Sequence, residues 1–183
     1  KGMIMNGLGF ANRPLSLSPQ FFTNLPLEHL FRKGVNASHF NRHKLGRKLD
    51  QCFDFGCESL FALVSQQACQ IESVDCQFKS LDTTSHSLTG EYAFDDPDSD
   101  ENIIKITYGH SKAHRPDLKQ VVQEMIVSQD GGVPLACKNW DGNSADTAVF
   151  KARSKALVNS FKNSETPSFL IADCKLYHKK NAD

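Results

Sequence analysis

The hydrophobic periodicity changes near Gln77, and no other feature limits the fold of this chain so strongly. Before that point apolar residues recur at helical spacing. Leu45, Leu49, Cys52 and Phe53 fall at i, i+4, i+7 and i+8, and Leu60, Val64, Ala68 and Ile71 repeat the pattern. Each stripe predicts an amphipathic helix, the first stopping near Gly56, because glycine adopts the backbone that ends a helix. Asn12-Arg13-Pro14 and Ser18-Pro19 break the earlier stretch, since the residue before proline avoids the helical region. Residues 1–76 therefore read as a small helical region.

Beyond Gln77 the pattern is that of strands. Phe78–Thr84 is short and rich in strand-formers. Ile103–Tyr108 alternates, with Ile104, Ile106 and Tyr108 on one face, and Val121–Val127 predicts a third strand. Asp130-Gly131-Gly132 predicts a turn into a short fourth strand over Val133–Lys138. Trp140-Asp141-Gly142-Asn143 breaks the chain, and Ser144 or Asp146 can cap a helix running to about Phe161. Ser168–Asp173 is almost wholly apolar until its last residue, as in a strand buried on both faces. The order predicts a mixed α/β fold: an antiparallel meander, continued through a helical crossover. It is also the element order of the RNase H-like fold, which other three-layer folds share.

Composition narrows the class without naming it. Of 183 residues, 39% are hydrophobic and 23% charged, the balance of an ordinary globular protein rather than a disordered one. Twenty-one basic and twenty-one acidic residues cancel, so the chain lacks the basic excess that often marks a nucleic-acid-binding protein. A local basic patch can still sit within a neutral total. Cys52, Cys57, Cys69, Cys76, Cys137 and Cys174 form no Cys-x-x-Cys pair, which predicts reduced thiols in the cytoplasm rather than a zinc site. No apolar run approaches a membrane span, so no membrane partner is expected. Lys1 opens inside what reads as an amphipathic helix, and Asn181-Ala182-Asp183 follows closely on a strand. Both ends read as interior to a longer protein.

The chemistry rests on where two acids fall. Asp82 sits within the first strand, in Leu81-Asp82-Thr83-Thr84-Ser85, and Asp173 closes the last, in Phe169-Leu170-Ile171-Ala172-Asp173. A carboxylate at the end of an apolar strand is costly unless it is solvated, paired or bound to a cation. Two such acids on neighbouring strands repel each other unless a cation lies between them. Mg²⁺, or Mn²⁺, suits oxygen ligands and keeps positions open for phosphate and water. In a two-metal site one ion activates the attacking oxygen and the other stabilises the leaving one. The plainer alternative is that each Asp is a turn-former or a hydrogen-bonded structural residue.

Four segments weigh against that alternative. Leu81–Ser85, Tyr108-Gly-His-Ser-Lys-Ala-His-Arg-Pro-Asp-Leu-Lys-Gln120, Gly142–Asp146 and Ile171–Tyr177 together resemble the DDE transposases of bacterial insertion sequences. Met5–Phe10, Arg13-Pro14-Leu15 and Pro19–Phe22 resemble the helical region that precedes their catalytic core. The resemblance spans nearly the whole chain. It implies an RNase H-like core over residues 77–183, in part, preceded by a helical region over residues 1–76.

It also implies that Asp82 and Asp173 are the first two catalytic, metal-binding carboxylates. The implied partners are transposon ends and target DNA, with a homo-oligomer assembled on them. The third acid of such enzymes is a glutamate in a Tyr-x-x-Arg-x-x-x-Glu-x-x-x-x-x-x-Lys motif, and no such motif follows Asp173. A piece without it is expected to be inactive alone. A stand-alone RNase H-like nuclease and a non-catalytic remnant are the rival readings. Ala113 is a further departure, standing where an acidic residue is expected.

Other charged groups carry two readings each. Lys112, His114, Arg115 and Lys119 follow the second expected strand and suit contact with DNA phosphates, or form a solvated hairpin loop. Arg42, His43, Lys44, Arg47 and Lys48 read as the charged surface of a helix. Asp95–Glu101 packs five carboxylates into seven residues but lacks the glycine and spaced glutamate of a calcium loop, and reads as a solvated linker. Trp140 and Asp141 read as a turn with a packed aromatic, and Asp146 as a helix cap or a support for the ligands.

Overall fold

The computed structural model describes residues 1–7, 14–92, 103–112, 114–145, 149 and 168–172. The chain divides into two compact units, Lys1–Cys57 and Glu58–Asp183.

The first unit is helical. Short helices α1 (Gly2–Gly7), α2 (Ser18–Phe22) and α3 (Leu27–Leu30) precede the longer α4 (Arg42–Phe55), with 3-10 turns at Leu15–Leu17 and Ala37–Phe40. Pro19 lies in the first turn of α2, where its missing N–H leaves no helical bond unmade. Asn41 caps α4 by accepting the Lys44 N–H at 3.1 Å, and Gly56 ends it at φ 95°. An aromatic cluster forms the core. Phe22 is wholly buried, stacks on Phe40 at 4.0 Å and meets Phe31 edge-on at 5.9 Å, while Phe31 and Phe40 lie 5.0 Å apart. Gly2 fits against this cluster, since a Cβ there would come within 2.6 Å of the Phe40 ring.

The second unit contains α5 (Cys57–Ile71, from Glu58 onward) and four strands: β1 (Phe78–Leu88), β2 (Lys119–Ser128), β3 (Pro134–Trp140) and β4 (Phe169–Ala172). They form one mixed sheet in the order β3-β2-β1-β4. β1 and β2 pair antiparallel, as do β2 and β3, and β4 lies parallel to β1. Gly131 and Gly132, at φ 69° and 61°, make the β2–β3 turn, a left-handed backbone that other residues adopt only with strain. The mixed α/β class is therefore as the periodicity predicts, and the antiparallel meander is present, among the described residues with one strand fewer than expected.

β2 alternates strictly. Gln120, Val122, Glu124, Ile126 and Ser128 are buried on one face, and Leu81 and Ile126 centre the apolar core with Leu135, Ala136, Leu170 and Ala172. Beside this face α5 contributes an ion pair, Glu58 to Lys138 at 3.1 Å. Ala62, Ser65 and Cys69 of α5 line a cavity of about 460 Å³ together with Cys76, Lys79 and Leu135. Burial pushes the Cys76 thiol above its usual range, and the hydrogen bond with Cys69 adds to the shift. Cys52, Cys57, Cys69 and Cys76 are free thiols.

Three expectations change. Among the described residues Ile103–Tyr108 makes a single bridge, Thr107 to Gln120, and no ladder, and β1 pairs directly with residues 119–128. The backbone of Lys105 is taken up elsewhere: its N–H donates to Asp141 Oδ1 at 2.8 Å and its carbonyl accepts from Gly142 at 3.0 Å. The expected apolar stripes of α4 and α5 are only partly covered. Leu45 is buried, whereas Leu49, Phe53, Leu60, Val64 and Ile71 are exposed. β4 is likewise not buried on both faces, for Phe169 and Ile171 are about half exposed. Apart from Val149, whose N–H donates to the Ala145 carbonyl at 3.1 Å, the expected crossover helix lies outside the described residues. So do Asp95–Glu101, Ala113 and Asp146. Among the described residues no helix is long and apolar enough to cross a membrane.

Candidate functional site

Asp82 lies in β1, a central strand with β2 on one side and β4 on the other. Strand alternation turns Leu81 and Thr83 inward and Asp82 outward, so its side chain is 82% exposed. Its Oδ1 accepts the Thr83 N–H at 2.7 Å and lies 3.9 Å from Lys112 Nζ. The parallel register between β1 and β4 runs from Phe78↔Phe169 to Leu81↔Ala172. Asp82 and Asp173 are the residues that follow that last pair in sequence, and Asp173 itself lies outside the described residues.

The loop between Tyr108 and Leu118 carries the basic residues and is fastened to β1 and β2 by backbone contacts. Gln120 is buried and its amide donates to the carbonyls of Gly142 at 2.7 Å and His110 at 3.3 Å. Three chain segments cross so closely here that side chains are excluded. A Cβ on Gly142 would lie 2.0 Å from the Gln120 carbonyl oxygen, and one on Gly109 would lie 2.0 Å from that of Gly142. Ser111, nearly buried, accepts the Arg115 N–H on its hydroxyl at 3.2 Å, and its carbonyl accepts the His114 N–H at 3.2 Å. His114 takes φ 56°, a left-handed backbone that histidine tolerates better than most residues.

The four basic side chains are differently engaged. Lys112 Nζ donates to the carbonyl and the hydroxyl of Thr83, the latter at 2.9 Å, and its backbone N–H donates to Ser85 Oγ at 3.1 Å. It therefore ties the loop to β1 beside Asp82. Arg115 grips Asp117 through two bonds, at 2.8 and 2.6 Å. That pair raises the guanidinium further above its usual range and holds the Asp117 carboxyl below its own. Lys119 Nζ donates to the carbonyls of Glu91 and Tyr92, the latter at 3.2 Å. His114 is exposed. The structure thus brings Lys112 to Asp82, and engages Arg115 and Lys119 with other groups of the chain.

One buried acid escaped the sequence reading. Glu124 is fully buried, pairs with Thr83 across the β1–β2 ladder and accepts the Trp140 indole N–H at 3.0 Å. Its signal was the alternation of β2, which sets Glu124 on the same face as Val122 and Ile126. Lys138 Nζ lies 4.7 Å from the centre of the Trp140 ring. Trp140 is therefore a packed aromatic at the end of β3, in keeping with its reading as a structural residue.

Magnesium prefers carboxylate oxygens, and Asp82 offers one such group in an exposed position. A single carboxylate does not make a site. Among the described residues no three His, Cys, Asp or Glu side chains are grouped to hold a metal ion.

Residues 1–66, about a third of the chain, match a family described as a domain of unknown function, DUF4277. No curated protein and no solved structure matches the chain.

Proposed function

We propose that residues 77–183 belong to the RNase H-like catalytic core of a DDE-type transposase. The whole enzyme cuts a phosphodiester at the ends of a mobile element and joins the freed 3′-hydroxyl to target DNA. Asp82 and Asp173 would hold Mg²⁺ or Mn²⁺, which supplies an activated oxygen nucleophile and neutralises charge on the phosphate. The observation that carries the reading is the exposed Asp82 carboxylate on a central strand, in register with the parallel strand that leads to Asp173.

Convergence of the resembling segments adds support. Leu81–Ser85 meets the Tyr108–Gln120 segment through Lys112, and that segment meets Gly142 through Gln120. Residues far apart in sequence thus build one neighbourhood. In it Lys112 positions β1 at Asp82, while His114 is an exposed group of the loop suited to a DNA phosphate. Arg115 and Lys119 would join it on releasing Asp117 and the Glu91 and Tyr92 carbonyls. The enzyme would act on cytoplasmic DNA as a homo-oligomer spanning two element ends.

The test is a strand-cleavage assay on element-end DNA, with a form of the protein that also carries the glutamate motif. Asp82→Asn is expected to lower cleavage by at least about a thousandfold, as loss of a ligand from a metal-dependent site would. Cleavage by Asp82→Asn at the unsubstituted rate would end the assignment.

A further inference from the structure

The first unit contains a cavity of about 620 Å³ whose lining combines aromatic rings with positive charge. Phe31 and Phe40 contribute half-buried rings that are fixed from behind by the buried Phe22. Lys1, Arg32, His39 and Lys44 stand around them, and among the described residues no acidic side chain lines the cavity. The nearby Glu28 is turned to the Gly34 N–H at 3.0 Å. His39 Nδ1 accepts the Asn36 N–H at 3.3 Å, so the neutral ring carries its proton on Nε2, as a donor. Lys1 Nζ donates to the Leu30 carbonyl and lies 5.4 Å from the centre of the Phe31 ring. The Arg32 and Lys44 side chains are exposed.

A flat ring beside an anion is the chemistry this lining fits. Nucleobases stack on aromatic side chains whatever their identity, and phosphates draw Arg, Lys and His donors. An acyl chain would use the rings but not the cations, and a bare phosphate would use the cations but not the rings. We propose that this cavity binds a nucleotide unit, its base against Phe31 and Phe40 and its phosphate among Arg32, His39 and Lys44. The unit can be a free nucleotide or one residue of a single DNA strand. The inference stands on the first unit alone and needs neither Asp82 nor a metal.

The test uses the 183-residue protein in a chelating buffer, where no metal-dependent step can contribute. Two fluorescent probes are titrated: 2-aminopurine riboside 5′-monophosphate, and a single-stranded oligonucleotide with one internal 2-aminopurine. Quenching of both, as the base stacks, supports a pocket open to free nucleotides. Quenching of the oligonucleotide alone supports a strand-binding pocket.

In either case Arg32→Ala with Lys44→Ala is expected to weaken binding roughly tenfold or more. For the oligonucleotide the double variant should also reduce the salt dependence by about one unit of slope per cation removed. Lys33→Ala, on the exposed turn outside the lining, should bind as the unsubstituted protein does. Phe31→Leu should abolish quenching; should it fail to fold, the exposed Arg32 and Lys44 pair still decides. No quenching of either probe, or undiminished binding by the double variant, would overturn the proposal.

Discussion

At Gly142 a side chain has no room, because its Cβ would meet the Gln120 carbonyl oxygen at 2.0 Å and that of Thr107 at 2.5 Å. Both obstacles are backbone, which cannot swing aside. Gly142→Ala is therefore expected to cost about 1–3 kcal/mol, the usual penalty of overpacking, read as a lower midpoint in urea unfolding. Trp140→Phe removes the indole N–H that Glu124 accepts in a fully buried position. Loss of a partner to a buried carboxylate predicts a destabilisation of about 1–3 kcal/mol in the same measurement. The Arg115–Asp117 pair is exposed and adds little to stability, but its titration has a definite sign. Asp117 is depressed in the folded protein, so whatever the pair contributes is present above the ordinary carboxylate range and is lost as pH falls through the lowered value. Carbon-detected NMR should show Asp117 titrating below a free aspartate, and Arg115→Ala should return it towards the ordinary value.

Secondary elements show where sequence patterns sufficed and where they did not. β2 was legible as a strand from its Val, Met and Ile content, but its alternation of burial was not, because three of the covered residues, Gln120, Glu124 and Ser128, are polar. The Gly131-Gly132 turn was legible because only glycine takes its backbone cheaply. Ile103–Tyr108 alternates as well as a strand does, yet beyond the Thr107–Gln120 bridge the Lys105 backbone bonds go to Asp141 and Gly142, the first of them 36 positions away, which no local pattern encodes. The stripes of α4 and α5 gave the helices correctly but not their burial. Leu49, Phe53, Val64 and Ile71 carry helical spacing while remaining more than two-fifths exposed. Val64→Lys should therefore change stability by less than about 0.5 kcal/mol, whereas Leu81→Ala, in the core of the sheet, should cost about 2–5 kcal/mol. Thermal melts of the two variants compare them directly. The acid at Asp82 was legible as an outlier in a strand, and its exposure follows from alternation. Its neighbour Lys112 was legible only as charge, since the bonds to Thr83 and Ser85 depend on how the Gly109–Gly142 crossing folds the loop back.

Across the whole molecule positive and negative charges balance, so any hold on nucleic acid has to come from local arrangement. Among the described residues two places are proposed to supply one: the aromatic and cationic cavity of the first unit, and the basic loop beside β1 in the second. They are independent of each other and can fail separately. In the second unit β1 and β4 run in parallel register up to the residues before Asp82 and Asp173, which are proposed to hold a metal ion together. Titration of the 183-residue protein with Mn²⁺, read by calorimetry and by the loss of free-ion electron paramagnetic resonance signal, tests it most directly. Binding is expected for the unsubstituted protein and is expected to be lost in Asp82→Asn and in Asp173→Asn. Indistinguishable isotherms for the three proteins would contradict it.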